Sequence, residues 1–172
     1  MEPLYTVICL GALCLLALVA FMPRLRIVPQ YRRLVLFRLG HHVGERGPGL
    51  VALLPFVDRA VSLDLREVTR QVTGVAATTR DRALLTVDLS WSYKIVDPSK
   101  SVMSVRDPEA SLHDRVVGEL RTLLGRLSYG DLLHNPGTVA AELRPVLEAS
   151  SDGWGLKLTG LDIQDIRKQR TD

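Results

Sequence analysis

Cysteine is scarce in this chain. The 172 residues include only Cys9 and Cys14, and both lie in the most apolar stretch of the sequence. This placement excludes a disulfide framework and a CxxC metal site. It also excludes a thiol nucleophile, because burial in apolar surroundings disfavours the thiolate. We interpret both residues as small apolar side chains of a helix in preference to acylation sites.

A strong imbalance of charge is missing too. The chain has 22 Lys and Arg residues against 19 Asp and Glu residues, a net charge of +3. That balance gives no reason to expect nucleic acid as a partner. A hydrophobic content of 47% is enough for one core of ordinary size, but the chain is too short for two large domains. We expect one folded domain with an anchor.

The motifs of common enzyme classes do not occur. The sequence has no GxSxG elbow, HExxH pair, Walker lysine loop or GxGxxG turn. His41 and His42 lack carboxylates or thiolates at a recognised metal spacing, so we interpret them as part of a solvated loop. Asp162 and Asp165 are interpreted as solvated charges at a sheet edge. We therefore predict a protein that is not an enzyme, without catalytic residues, cofactor or metal.

The longest uncharged run is the strongest physical feature of the sequence. It extends from Leu4 to Met22, long enough as a helix to cross a hydrocarbon core of roughly 30 Å. The residues before it include Glu2 and no basic side chain, which favours an uncleaved anchor over a signal peptide. Pro23 ends the run, which disfavours a hairpin turned at a proline. We predict that residues 1–23 form a transmembrane or membrane-inserted anchor, single-pass or monotopic.

Basic residues follow the apolar run closely. They are Arg24, Arg26, Arg32 and Arg33. The positive-inside rule then places the C-terminal body on the cytoplasmic side. Arginines at this position also suit the headgroups of anionic lipids. We expect these four residues to form a membrane-proximal basic region.

A second apolar run covers residues 50–57. It is too short to span a bilayer, and Pro55 makes it awkward as a central strand. The run is either buried in the core or lies in the membrane surface. The candidates for shallow membrane contact are Leu50, Val51, Leu53, Leu54, Pro55, Phe56 and Val57.

Strand patterns occur on both sides of this run. Apolar and polar residues alternate strictly from Leu85 to Ile95, which predicts a strand of an antiparallel sheet covered on one side. An earlier strand is predicted from Ile27 to Leu39, followed by a turn-rich loop over residues 40–49. The sequence of residues 156–166 predicts a closing strand with a bulge at Gly160.

Between these strands the apolar period changes to that of a helix. Asp107 and Pro108 predict the start of an amphipathic helix that carries leucines and valines up to residue 127. Ser128 with Asp131 predicts a short second helix. Pro136 opens a third, which residue 145, a second proline, is expected to kink or end. Strands, helices and a closing strand together predict an α+β domain of mainly antiparallel sheet packed with helices.

Several segments, in this order, resemble the SPFH/band 7 domain of stomatins, slipins and prohibitins. They are VPQYRRLVLFRLG from Val28, GPGLVALLPFVDRAVSLDLRE from Gly47, TTRDRALLTVDLSWSYKIVDP from Thr78 and WGLKLTGLDIQDI from Trp154. Behind an N-terminal hydrophobic segment they are most similar to the stomatin/slipin branch. The resemblance implies an SPFH domain over residues 24–167 and a short tail over residues 168–172.

The resemblance also implies a function. Members of this family oligomerise at membranes, organise lipid microdomains and modulate membrane proteins such as channels, transporters and proteases. We therefore expect a non-catalytic membrane scaffold whose partners are membrane lipids and copies of itself or related SPFH subunits. A regulatory subunit of a membrane-bound protease is the alternative, and a membrane-tethered hydrolase is a third reading that lacks a nucleophile. Because the long Ala- and Glu-rich helical segment of the family does not follow the domain here, we expect dimers or heteromers in preference to large cages.

Overall fold

The structure, a computed structural model, describes residues 10–16, 22–134 and 136–169. The chain divides into two compact units, the first ending at Asp64 and the second beginning at Leu65.

The N-terminal residues are described only in part. Residues 10–16 are helical and exposed. Most of the predicted anchor, residues 1–9 and 17–21, lies outside the described residues. Within the described part of the chain, no helix is long and apolar enough to cross a membrane.

The first unit is made of short antiparallel strands. They are β1 (Arg24–Val28), β2 (Arg32–Arg38), β3 (His41–Arg46), β4 (Gly49–Leu53) and β5 (Asp58–Asp64). β1 pairs with β4 in a two-stranded ribbon, and the other three form a sheet in the order β3-β2-β5. Three consecutive residues of β2, Leu34, Val35 and Leu36, are buried, so both faces of this central strand are covered.

Two expectations for this unit were wrong in detail. The strand predicted from Ile27 to Leu39 is two strands, because the chain turns at residues 29–31, where Arg32 N–H donates to the Pro29 carbonyl oxygen. The region predicted as a loop, residues 40–49, contains β3. The polar and glycine-rich sequence of β3 hides it, because an exposed edge strand needs no apolar alternation.

The second unit packs helices on one face of an antiparallel sheet. Its strands are β6 (Val68–Thr78), β7 (Leu84–Ile95) and β8 (Leu156–Lys168), in the order β6-β7-β8. Its helices are α1 (Pro98–Ser104), α2 (Pro108–Leu124), α3 (Tyr129–His134) and α4 (Pro136–Gly153). The predicted α+β architecture, with antiparallel sheets and helices, is confirmed.

The core of this unit follows the two apolar periods in the sequence. Alternate residues of β7, including Leu85, Val87, Leu89 and Trp91, are at most 1% exposed. They pack against the apolar stripe of α2, which is completely buried at Leu112, Val116, Leu120 and Leu124. The predicted strand and amphipathic helix are therefore confirmed together.

Caps fix the helix starts. The Asp107 carboxylate accepts hydrogen bonds from the N–H groups of Glu109 and Ala110 at the start of α2. The Ser128 hydroxyl contacts the Asp131 carboxylate at 2.6 Å at the start of α3. The helix α1 was missed, although Asp97 caps it and Pro98 occupies its first turn, because it is a single short element with few buried residues.

The helix α4 does not end at Pro145 but continues to Gly153. A proline in a helix costs one hydrogen bond and a steric clash. Here Val139, Leu143 and Leu147 are buried on the core side on both sides of that proline, and this packing offsets the local loss. In β8, the strand that follows α4, the predicted bulge at Gly160 is confirmed. Gly160 pairs with Ser92 of β7, and the register of the two strands shifts directly after this pair.

Candidate membrane-contact surface

A tight turn joins β4 to β5. Asp58 N–H donates to the Leu54 carbonyl oxygen at 2.9 Å, and Leu54 N–H donates to the Asp58 carboxylate at 2.9 Å. The same carboxylate receives two hydrogen bonds from the Arg38 guanidinium, at 2.7 and 3.1 Å. The bidentate pair lowers the pKa of Asp58, with help from Leu54 N–H, and raises that of Arg38. These bonds hold the turn against the end of β2.

Two bulky apolar residues protrude at this place. Leu39 is 75% exposed and Phe56 is 86% exposed. Both have left-handed backbones, with φ of 50° and 66°, a conformation that costs an L-residue roughly 1–2 kcal/mol. Leu39 N–H donates to the Val57 carbonyl oxygen at 3.0 Å, which holds the two turns together. We name this pair, Leu39 and Phe56, the apolar tip.

The N-terminal segment enters the first unit next to this tip. β1 and β4 are antiparallel, and their register pairs Arg24 with Leu53 at one end and Val28 with Gly49 at the other. The turn that carries Phe56 begins directly after Leu53. The predicted anchor precedes Arg24, so it joins the ribbon at the same end from which that turn leaves.

The ribbon itself has one exposed apolar face. Leu25 pairs with Ala52 and Ile27 pairs with Leu50, and directly opposed residues project from the same side of an antiparallel pair. Leu25, Ile27 and Leu50 are 65%, 78% and 66% exposed. Exposed apolar side chains that lie together, unlike scattered ones, mark a contact surface.

The predicted contact residues divide into two groups. Leu50 and Phe56 are exposed, whereas the remaining five are partly buried: Val51, Leu53, Leu54, Pro55 and Val57. The prediction missed Leu25, Ile27 and Leu39. The exposure of Leu39 could have been predicted from its position directly before Gly40 in a turn-rich segment. The exposure of Leu25 and Ile27 could have been predicted from their alternation with Arg24 and Arg26.

The four predicted basic residues do not lie together. Arg24 and Arg26 are exposed on β1, on the opposite ribbon face from Leu25. Arg32 and Arg33 open β2, at the end remote from Arg38 and the apolar tip. The Arg32 guanidinium lies 5.8 Å from the centre of the Tyr31 ring, and Arg33 is half-buried.

The residues weighed as metal ligands have other surroundings. His41 and His42 open β3 and are exposed, and the His42 ring meets the Phe37 ring edge-on at 5.8 Å. In the described part of the chain, no group of three or more His, Cys, Asp or Glu side chains is placed to hold a metal ion.

Comparison with known proteins supplies the family. Residues 26–171 match the model of the SPFH domain / Band 7 family. A stomatin homologue of Pyrococcus horikoshii is 31% identical over 88% of this chain. Stomatin-3 of Caenorhabditis elegans is 33% identical over 84% of it. These matches cover 57% and 55% of the two relatives, so the chain spans little more than half of their length. The chain belongs to the SPFH domain / Band 7 family, and its relatives include proteins named stomatin.

Proposed function

We propose that this chain is a non-catalytic scaffold of a membrane surface, which assembles there with copies of itself or with related SPFH subunits and modulates partner membrane proteins. The observation that carries the proposal is the exposed apolar surface of the first unit. It comprises the apolar tip, Leu39 and Phe56, and the ribbon face of Leu25, Ile27 and Leu50. These residues lie beside the point where the N-terminal apolar segment joins the first unit, which supports lipid as the contacting partner.

The energetics favour shallow insertion. Moving a side chain such as leucine or phenylalanine out of water contributes roughly 1.5–3 kcal/mol. The backbone of the tip is strained in the left-handed region at both positions, and strain of this kind persists where the surrounding structure maintains it, often at functional sites. The Arg38–Asp58 pair and the Leu39–Val57 hydrogen bond provide that support.

Arginines on the opposite face of the same ribbon add an electrostatic attraction to the membrane and do not insert with the apolar side chains. Arg24 and Arg26 are exposed on the strand that follows the N-terminal segment. Each basic side chain near an anionic membrane surface contributes about 1 kcal/mol. The stomatin names of two relatives, together with the apolar surface, support a role at membranes for this chain. The arginines that directly follow the N-terminal apolar segment support a cytoplasmic position for the rest of the chain.

The native mass of the full chain in lipid nanodiscs tests the assembly. We expect more than one copy per disc and crosslinks between identical copies. In native membranes, crosslinking to one other protein at a fixed ratio would instead favour a regulatory subunit of a membrane protease. A monomer that crosslinks to neither lipid nor protein would contradict the proposal.

A further inference from the structure

The net charge of the chain lies entirely in its first unit. Residues 1–64 contain seven arginines and four carboxylates, whereas residues 65–172 contain 15 basic and 15 acidic residues. The second unit is therefore neutral overall, and the net charge of +3 belongs to the unit that carries the exposed apolar surface. A charge asymmetry of this kind indicates a partner of the opposite charge.

The end of the first unit that carries the apolar tip has one carboxylate, and that carboxylate is occupied. The oxygens of Asp58 accept hydrogen bonds from the Arg38 guanidinium and from Leu54 N–H. Asp64 lies at the other end of β5, and Glu45 opposes a residue of β2 three positions before Arg38. Among the described residues of this unit, no carboxylate remains at the tip to neutralise any other arginine.

Two further arginines flank the turn that carries Phe56. Arg24 pairs with Leu53, directly before the turn, and Arg59 follows Asp58, directly after it. Both arginines are exposed, and in the part of the chain that the structure describes neither makes a hydrogen bond or an ion pair. Their guanidinium groups are therefore available to an anion from outside the chain.

Arg59 is set back from the apex of the tip. It lies three residues after Phe56, at most about 10 Å along the chain, and the headgroup layer on each side of a bilayer is roughly 5–8 Å thick. In the register it opposes Phe37 of β2, whose ring meets the His42 ring at 5.8 Å. A long basic side chain beside apolar groups keeps its charged end at the polar boundary. With Phe56 among the acyl chains, the Arg59 guanidinium therefore reaches the headgroups.

We propose that Arg24 and Arg59 bind the headgroup of an anionic phospholipid beside the apolar tip, so that the first unit selects anionic over zwitterionic lipid. This binding rests on the proposed function, because it requires the tip to contact lipid. Guanidinium groups bind phosphate oxygens in a bidentate geometry. Phosphatidylcholine carries an ammonium that compensates its phosphate, whereas phosphatidylglycerol does not. An acidic protein would match the charge but would not supply an apolar layer at the depth of the tip.

Lipids that differ only in their headgroup measure this selection. The full chain, with Cys9→Ala and Cys14→Ala, carries an uncharged fluorophore through Phe56→Cys, which keeps a bulky apolar group at the tip. Nanodiscs of phosphatidylcholine contain a small, equal fraction of either nitroxide-labelled phosphatidylglycerol or nitroxide-labelled phosphatidylcholine. From the difference in quenching we expect an enrichment of phosphatidylglycerol of about fivefold. Raising the salt from 0.1 to 1 M shortens the screening length from about 10 to about 3 Å and should remove that enrichment.

Matched variants locate the site. Arg59→Gln should lower the enrichment of phosphatidylglycerol about threefold, whereas Arg59→Lys, which keeps the charge, should retain most of it. Arg46→Gln makes the same change of charge on an exposed residue of β3 that pairs with Leu34, remote from the tip, and should leave the enrichment unaltered.

The outcomes separate this proposal from the membrane contact on which it rests. Equal quenching by the two lipids, or equal effects of Arg59→Gln and Arg46→Gln, would overturn the headgroup site and leave the contact of the tip with lipid intact. An absence of quenching by either lipid would overturn both. Stronger quenching by phosphatidylglycerol that falls only in the Arg59→Gln variant supports both.

Discussion

The N–H of Leu39 donates a hydrogen bond of 3.0 Å to the carbonyl oxygen of Val57, joining the turn after β2 to the turn before β5. Leu39 and Phe56, one on each turn, therefore protrude at the same end of the first unit. A bulky apolar residue is unfavourable there for two reasons, since it is exposed to water and its backbone is left-handed. Contact with lipid removes the first cost.

The strain at the tip can be measured by substitution. Asparagine tolerates the left-handed region better than leucine or phenylalanine. Leu39→Asn and Phe56→Asn should each raise the free energy of unfolding in urea by up to about 1 kcal/mol. Arg82→Asn, at a polar position with φ of 61° in the second unit, is the control and should give a similar gain. A loss of stability at positions 39 and 56 would show that these side chains pack against protein.

Gly155 is the residue of the second unit least able to accept a side chain. Its φ is +69°, and a Cβ atom there would lie 2.5 Å from the Asp97 carbonyl oxygen. Its own carbonyl oxygen accepts hydrogen bonds from Val96 and Asp97 N–H. We expect Gly155→Ala to lower the free energy of unfolding by roughly 2–3 kcal/mol.

A second glycine provides the control for this change. A Cβ atom on Gly118, in α2, would meet nothing within 4 Å. Alanine is the better helix former, so Gly118→Ala should raise the free energy of unfolding by about 0.5–1 kcal/mol. Equal effects of the two substitutions in urea would contradict the packing around Gly155.

Asp88 should make the second unit sensitive to acid. Its carboxylate accepts a hydrogen bond from Gly74 N–H at 2.7 Å and pairs with Arg167. Together these contacts lower the pKa of Asp88, the Gly74 bond most. Because the pKa is lower in the folded chain, the stabilisation is complete above about pH 4. It is lost as the pH falls through the lower, folded value.

The variant Asp88→Asn tests this dependence. An amide oxygen can still accept from Gly74 N–H but carries no charge for Arg167. The free energy of unfolding should therefore fall less steeply below about pH 4 than in the wild type. Asp114→Asn, at an exposed carboxylate, should keep the wild-type slope. Identical slopes in all three proteins would contradict the assignment.

Tyr93 should titrate late in alkali. Burial, and next the nearby Glu109 carboxylate, raise its pKa to about 12. The neutral phenol is favoured in the folded chain, so its contribution to stability is complete below about pH 10 and is lost as the pH rises through the folded value. The ultraviolet absorbance of phenolate should show a late step that Tyr93→Phe removes. Tyr31→Phe, at an exposed ring, should retain that step.

The apolar periods of the sequence predicted the core of the second unit and missed several elements outside it. Strand β7 and helix α2 bury one face each, so their periods of two and about 3.6 are visible in the sequence. The edge strand β6 carries Thr69, Arg70 and Gln71 in succession, and no alternation reveals it.

The candidate surfaces could be predicted only in part. The apolar run at residues 50–57 indicated a contact region, but whether each residue faces water depends on the register of β1 against β4. The left-handed backbone at Phe56 has no neighbouring glycine to indicate it, whereas Leu39 directly precedes Gly40. The ion pair of Arg70 with Glu109 joins residues that are 39 positions apart in the sequence. It therefore depends on the complete fold of the second unit and could not be predicted from the sequence.

Lipids that carry a nitroxide near the headgroup test the central claim most directly. In a background of Cys9→Ala and Cys14→Ala, a fluorophore is attached through Phe56→Cys or, as the control, through Gly47→Cys. Gly49 pairs with Val28 at the other end of the ribbon, about 13 Å from the Arg24–Leu53 pair at roughly 3.3 Å per residue. Gly47 lies two residues before Gly49, beyond that end. In nanodiscs, we predict strong quenching at position 56 and weak quenching at position 47. Equal quenching at the two positions, or none at position 56, would contradict a membrane contact through the apolar tip.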